Sequence, residues 1–188
     1  GSRNVIIRNV KLCNSRVQND DGVNPCNSQN VLITDCFIRS DDDCVAMKGI
    51  NYEGDSNNNV ERVTVENCIL WCDRARIFLL GHESRAEYMR HIVLRNLDIL
   101  HFNMTPFLFE PGEEMSIEDV TVEAITAYAD YPEQSGDQSF DLIRLRPTVN
   151  QYMKTKVPGY ISNLQFKNIS LTGEAREGKY PIWVTGAA

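Results

Sequence analysis

No apolar run in this chain approaches the roughly 18 to 20 residues needed to cross a bilayer, so a membrane-spanning role is not expected. Basic residues are scarce: 19 Lys and Arg stand against 26 Asp and Glu, a formal net charge of −7. A deficit of that sign argues against non-specific nucleic-acid binding, which depends on neutralising phosphates. It also disfavours a highly anionic polysaccharide unless cations are concentrated at the site. The six cysteines, at 13, 26, 36, 44, 68 and 72, include no C-x-x-C pair, which excludes a zinc site or a dense disulfide framework of the usual spacing. Most of them read as buried thiols. His91 and His101 also lack zinc-ligand spacing. Long helical periods with caps are missing, and nothing calls for a cofactor. No signal peptide is visible. Gly1-Ser2 leads straight into a strand-like segment and reads as a vector-derived remnant ahead of a fragment.

What is present is a repeat. Short alternating apolar segments recur as NVIIRNVKL at 4–12, NVLITDCFI at 30–38, RVTVENCIL at 62–70 and HIVLRNLDI at 91–99, with weaker copies DVTVEAITA at 119–127 and NLQFKNISL at 163–171. Aligned on Asn9, Asp35, Asn67, Asn96, Glu123 and Asn168, they step by 26, 32, 29, 27 and 45 residues. Periods of this size signal a solenoid, and period-2 alternation makes each copy a strand with one buried face. A second apolar segment follows each first one, as in CVAMK at 44–48, RIFLLG at 76–81, PFLFEPG at 106–112, DLIRLRP at 141–147 and YPIWVTG at 180–186. Such a coil cannot bury its inner face alone and must stack on neighbours about 4.8 Å away. The expected fold is all-β, a right-handed parallel β-helix of about six coils. It forms one domain over 1–188, with a loop insertion at about 129–159 marked by Pro, Gly, Ser and Gln. In-register stacking should set Cys36 beside Cys68. The aligned Asn and Asp residues read as a turn ladder.

Two acidic motifs directly precede second strands on successive coils: Asn19-Asp20-Asp21-Gly22 and Ser40-Asp41-Asp42-Asp43-Cys44. Stacking places them about one rung apart, so several carboxylates share one patch and at least one pKa should rise. A raised carboxyl beside ionised ones suits glycoside hydrolysis, which needs an acid for the leaving oxygen and a base for water. The residues alone leave two other readings open: a solvated turn corner, and a calcium site.

These motifs resemble those of the family-28 glycoside hydrolases, the polygalacturonases, and the chain is also similar to related aspartate-triad β-helix enzymes such as family-49 dextranases. The family pattern is Asn-Thr-Asp-Gly followed one coil later by Gly-Asp-Asp-Cys. The resemblance implies that Asp42 protonates the glycosidic oxygen while Asp21 and Asp43 activate water, giving inversion; it also implies a secreted or periplasmic location. Inversion implies carboxyls roughly 6.5 to 9.5 Å apart. Asp41 and Asp20 stand where the family has Gly and Thr. Arg76 holds the place of the family's histidine in Gly-His-Gly. The Arg-Ile-Lys that grips a uronate has no counterpart at Pro106–Glu110, so a neutral or differently decorated glycan is expected.

Candidate substrate-binding residues are Arg76, Lys48, His82, Glu83 and Glu110. A guanidinium fork at Arg76 can orient an aspartate or bind hydroxyls, or serve a salt bridge to Asp43 or Asp73. Arg144 and Arg146 alternate around Leu145 and can face outward together. Tyr131, Tyr152 and Tyr160 can stack on sugar rings or pack on the coil; Trp71 and Trp183 read as packing residues. The partner expected is a polysaccharide or oligosaccharide. A calcium-dependent polysaccharide lyase and a non-catalytic carbohydrate-binding solenoid are the alternatives.

Overall fold

A computed structural model describes residues 1–13, 17–50, 57–129, 141–173 and 182–186. Tyr131, with the rest of 130–140 in the expected insertion, and Tyr180-Pro181 of the last apolar segment lie outside the described residues. The six repeats form the six rungs of one long sheet. Its path is β1 (Arg3–Arg8), β3 (Gln29–Thr34), β6 (Val60–Cys72), β8 (Tyr88–His101), β10 (Ser116–Ala129) and β12 (Tyr160–Gly173), with β2 (Lys11–Cys13) and β4 (Phe37–Ser40) continuing the first two rungs. The second apolar segments form the other sheet: β5 (Val45–Met47), β7 (Phe78–Gly81), β9 (Phe107–Glu110), β11 (Ile143–Leu145) and β13 (Ile182–Val184). Every strand pairing in both sheets is parallel, and the described residues contain no helix. The all-β parallel solenoid is therefore as the repeat implied.

The reason for the repeat is visible in the register. Val31, Val63, Ile92 and Val120 pair rung to rung, as do Ile33, Val65, Leu94 and Val122. All eight are buried, so each β-branched or Leu side chain covers the one stacked on it. Cys36 and Cys68 occupy one inward row and are both buried free thiols. From the second sheet, Phe78 and Phe107 stack with centroids 5.3 Å apart, and Phe109 meets Phe166 edge-on across the core at 6.0 Å. Burial of each such side chain contributes about 1.5–3 kcal/mol.

The long strands bend at the aligned polar positions, where the chain takes the left-handed conformation: Asn9 (φ 55°), Asp35 (57°), Asn67 (54°), Asn96 (51°) and Asn168 (51°). Asn and Asp tolerate that region because their short side chains bond locally. On the fifth rung the bend falls on Ala124 (φ 53°), not on Glu123, so the last steps are 28 (Asn96 to Ala124) and 44 (Ala124 to Asn168). Aligning on the polar residue misplaced that rung by one, since Glu123 pairs with Arg95 and Lys167. A second bend ladder opens each repeat, at Asn4, Asn30, Arg62, His91, Asp119 and Asn163. Its side chains also bridge rungs: Asn30 donates to Asn4 at 2.9 Å, and the His91 Nδ1 lies 3.5 Å from Asp119. His91 thus belongs to the scaffold.

Candidate active site

The two acidic motifs meet at the corner that leads into the second sheet. Residues 20–23 stack on 42–45: the Asp42 N–H donates to the Asp20 carbonyl (3.3 Å), Gly22 N–H to Asp43 (2.9 Å) and Val23 N–H to Cys44 (2.9 Å). A Cβ on Gly22 would lie 2.5 Å from the Cys44 carbonyl oxygen, so the first motif needs glycine to approach this closely. Below, the Cys44 N–H donates to the Arg76 carbonyl (2.9 Å). Asp21, Asp42 and Asp43 each present one carboxylate oxygen within 4.8 Å of those of the other two. That contact is tighter than the roughly 6.5 to 9.5 Å expected of an acid–base pair. Asp42 and Asp43 are consecutive on one rung, and the stacking of 20–23 on 42–45 brings Asp21 to them from the next.

The corner is not a solvated turn. Asp41 and Asp43 are each 3% exposed, and Asp42 is half-buried. Asp41 turns away from the other three, with Oδ2 3.4 Å from Arg74 Nε. Burial, then the charge of Asp21, raises the Asp42 pKa against the Asp43 N–H, Arg76 and Lys48, which lower it. Burial raises Asp43 further, to about 6, with Arg76 opposing and Asp42 and Asp21 adding to the rise. Arg76 holds Asp43 twice: its backbone N–H donates to Oδ1 (3.1 Å), and its Nη1 lies 3.6 Å from the same oxygen. Asp73, the other partner considered for Arg76, is taken by Arg39 at 2.9 and 3.0 Å and by Trp71 Nε1 at 3.0 Å.

A groove of about 410 Å³ brings Asp21, Asp42 and Asp43 together with Lys48, Arg76, His82 and Glu83. Lys48 bridges Asp21 (3.3 Å) and Glu83 (2.9 Å). Burial alone would lower its pKa, but these two carboxylates more than offset it and leave it raised. Asn24 donates to the Asp21 carboxylate from the same rung. Glu110 does not line the groove. It is 1% exposed, beneath the rim, where its Oε1 meets His82 Nδ1 (3.1 Å) and Asn150 Nδ2 (3.2 Å) and its Oε2 meets Arg146 Nη2 (2.7 Å). Burial pushes its pKa up, but His82 and Arg146 outweigh that and bring it to about 2.

Asn19, Leu79 and Tyr152 also line the groove. Asn19 opens the first motif, but Leu79 faces out of the second sheet and only register reveals it. Tyr152 comes from the far coil. The segment 146–159 folds back onto 111–115: Val157 and Pro158 pair with Glu113 and Gly112, Met153 is buried, and the Glu113 carboxylate accepts the N–H groups of Lys154 and Thr155. Tyr152 is held by the Arg85 guanidinium, which donates to its carbonyl (3.1 Å), and its ring lies 5.1 Å from that of His82. Tyr160 starts β12, is 62% exposed, and has no place in the groove lining. Arg144 and Arg146 do not project together into solvent. Arg144 is buried and paired to Asp141 (2.6 and 2.7 Å), while Arg146 is bound to Glu110. Trp71 lies between Arg39 and His101, each 5.0 Å from its ring, whereas Trp183 is an exposed ring above Arg144.

Residues 1–69 match the profile of "Glycosyl hydrolases family 28". That stretch carries Asp21, Asp42, Asp43 and Lys48 and stops before Arg76. A "Probable polygalacturonase" from Vitis vinifera is 48% identical over 48 residues, which is 25% of this chain and 10% of that relative. The aligned part thus spans about a tenth of the length of the curated relative. The chain is thus a parallel β-helix that is similar to the family-28 glycosyl hydrolases over residues 1–69 and to a probable polygalacturonase over 48 residues.

Proposed function

We propose that this chain carries the active site of a glycoside hydrolase acting on a polysaccharide or oligosaccharide. The observation that supports this most is the meeting of three carboxylates from two rungs, one oxygen of each within 4.8 Å of the others, in the wall of an open groove. Asp42 combines a raised pKa with partial exposure, as a proton donor to a glycosidic oxygen requires. Asp21 and Asp43 serve the attacking water. In the step, the water oxygen bonds to the anomeric carbon as its bond to the leaving oxygen breaks. The Asp42 proton passes to the leaving oxygen, and a water proton passes to Asp21 or Asp43. Arg76 favours the ionised form of Asp43 and keeps it able to accept.

The groove favours a neutral glycan. Lys48 and Arg76 are each committed to carboxylates, and the positions after Pro106 that would grip a uronate hold Leu108 and the buried Glu110. A calcium-dependent lyase is the weaker reading, because Lys48 and Arg76 already balance charge in the cluster. Neutral and acidic polysaccharides should be screened for reducing ends, with product anomers read by NMR. Hydrolysis of a neutral glycan, lost in Asp42→Asn and indifferent to chelator, is the expected result. A chelator-sensitive release of unsaturated ends, or glycan binding with no release, would overturn it. Inversion is expected from the resemblance, and a retained anomer would reassign one carboxylate as nucleophile.

A further inference from the structure

Between the groove and the core lies a built polar chain that the carboxylate chemistry does not use. His82 lines the groove with one edge of its ring and turns Nδ1 inward onto Glu110, 3.1 Å away. Glu110 is itself fixed from the other side by Arg146 at 2.7 Å and by Asn150, whose amide nitrogen also donates to the His82 carbonyl at 2.8 Å. The backbone is bent to make this contact. Gly81 (φ 102°) and His82 (φ 49°) are both left-handed, and the His82 N–H donates to the Glu110 carbonyl at 2.8 Å. A Cβ on Gly81 would come within 2.3 Å of that same carbonyl oxygen.

A carboxylate held by a guanidinium accepts and does not donate, so the proton between Glu110 and His82 resides on Nδ1. In the neutral form of the ring that leaves Nε2 bare, and no hydrogen bond to Nε2 is found among the described residues. The other groups near the ring are Tyr152, tilted at 59° with centroids 5.1 Å apart, and the Lys48–Glu83–Asp21 chain on the groove side. A bare ring nitrogen beside an aromatic face suits the donor O–H and the apolar C–H face of a sugar. We propose that His82 is a substrate-binding residue that accepts a hydrogen bond from a sugar hydroxyl, and that Glu110 is the positioning residue that fixes its tautomer. This rests on the glycan-processing reading above and adds a specificity contact to it, one that a neutral sugar can satisfy without any cation.

Imidazole nitrogen NMR on the whole chain tests the tautomer without turnover. His82 should show protonated Nδ1 and bare Nε2 near neutral pH, and Glu110→Gln should lose that preference; a His82 protonated on Nε2 in the parent overturns the proposal. Cello-, xylo-, galacto- and arabino-oligosaccharides are then added to Asp42→Asn protein. One of them should shift the His82 Nε2 resonance, and Glu110→Gln should weaken its binding about tenfold. Binding without a change at His82, or no binding by any of the four, overturns the proposal. In the active protein Glu110→Gln should raise KM about tenfold while changing kcat less than about threefold. A shifted His82 resonance with no hydrolysis of any glycan sinks the hydrolase reading and leaves the sugar contact standing.

Discussion

The two sheets are built from the same coils but solve different problems. In the long sheet the same kind of residue returns on each rung, inward rows of Val, Ile and Leu and bends that are mostly Asn or Asp, and the outer face is tied by rung-to-rung pairs such as Arg90–Glu61 (2.9 Å) and Arg95–Glu66 (2.6 Å). In the second sheet the inward rows stay apolar, but the outward row runs from Ala46 through Leu79 and Leu108 to Arg144 and Trp183. Repetition marks the load of stacking; its loss, on the reading proposed above, marks the side that carries the groove. On this view, substitutions in the long sheet change stability and leave turnover alone, and substitutions at the groove do the reverse.

The largest expected effect is at the groove. Asp42→Asn should cut turnover by about a thousandfold or more, with unfolding in urea little changed or slightly later, because a like charge is removed from the cluster. On the other sheet, Asn67→Val should destabilise by about 2 kcal/mol, from a β-branched residue forced to positive φ and the loss of the Asn96 hydrogen bond (2.7 Å), while kcat/KM of the folded protein stays put. A fall in kcat/KM equal to that of Asp42→Asn would erase the division between the sheets.

Acid and base separate two carboxylates of the same region. Asp43 is raised from 3.8 to about 6, so its contribution to stability is complete below 3.8 and is lost as pH rises through 6. Glu110 is lowered from 4.5 to about 2, so its contribution is complete above 4.5 and is lost as pH falls toward 2. Urea midpoints across this range should therefore lose their high-pH decline in Asp43→Asn and part of their low-pH decline in Glu110→Gln. Arg76→Ala should move the acid limb of kcat/KM to higher pH, because Arg76 is what holds Asp43 down. A limb that does not move would remove Asp43 from the bases. The smallest effect expected is Ala124→Asn, which restores the ladder between Asn96 and Asn168 and should add about 0.5–1 kcal/mol, read as a rise of a few degrees in Tm.

The long sheet was legible in the sequence because its periodicity is a packing requirement: Val63 needs Val31 above it and Ile92 below. The opening bends at Arg62, His91 and Asp119 were not, since a left-handed residue leaves no fixed letter when it is exposed and its partner varies. Ala124 hid one rung for the same reason. At the groove, the carboxylates were legible because their motifs are short and sit on consecutive coils. Tyr152, Asn150 and Arg146 were harder, as they reach His82 and Glu110 from a later coil, and only the stacking order brings them there. Glu110 shows the limit of composition: an acid ending a strand reads as a surface group until Arg146 and His82 are placed beside it.

The paired bends lie five positions apart on every rung, while the corners at 82–87, 111–115 and 146–159 differ in length. Corner segments are therefore interchangeable parts on an indexed spindle. A longer or shorter lip at any one of them should leave the register of the next coil undisturbed, so the walls of the groove can be reshaped one lip at a time.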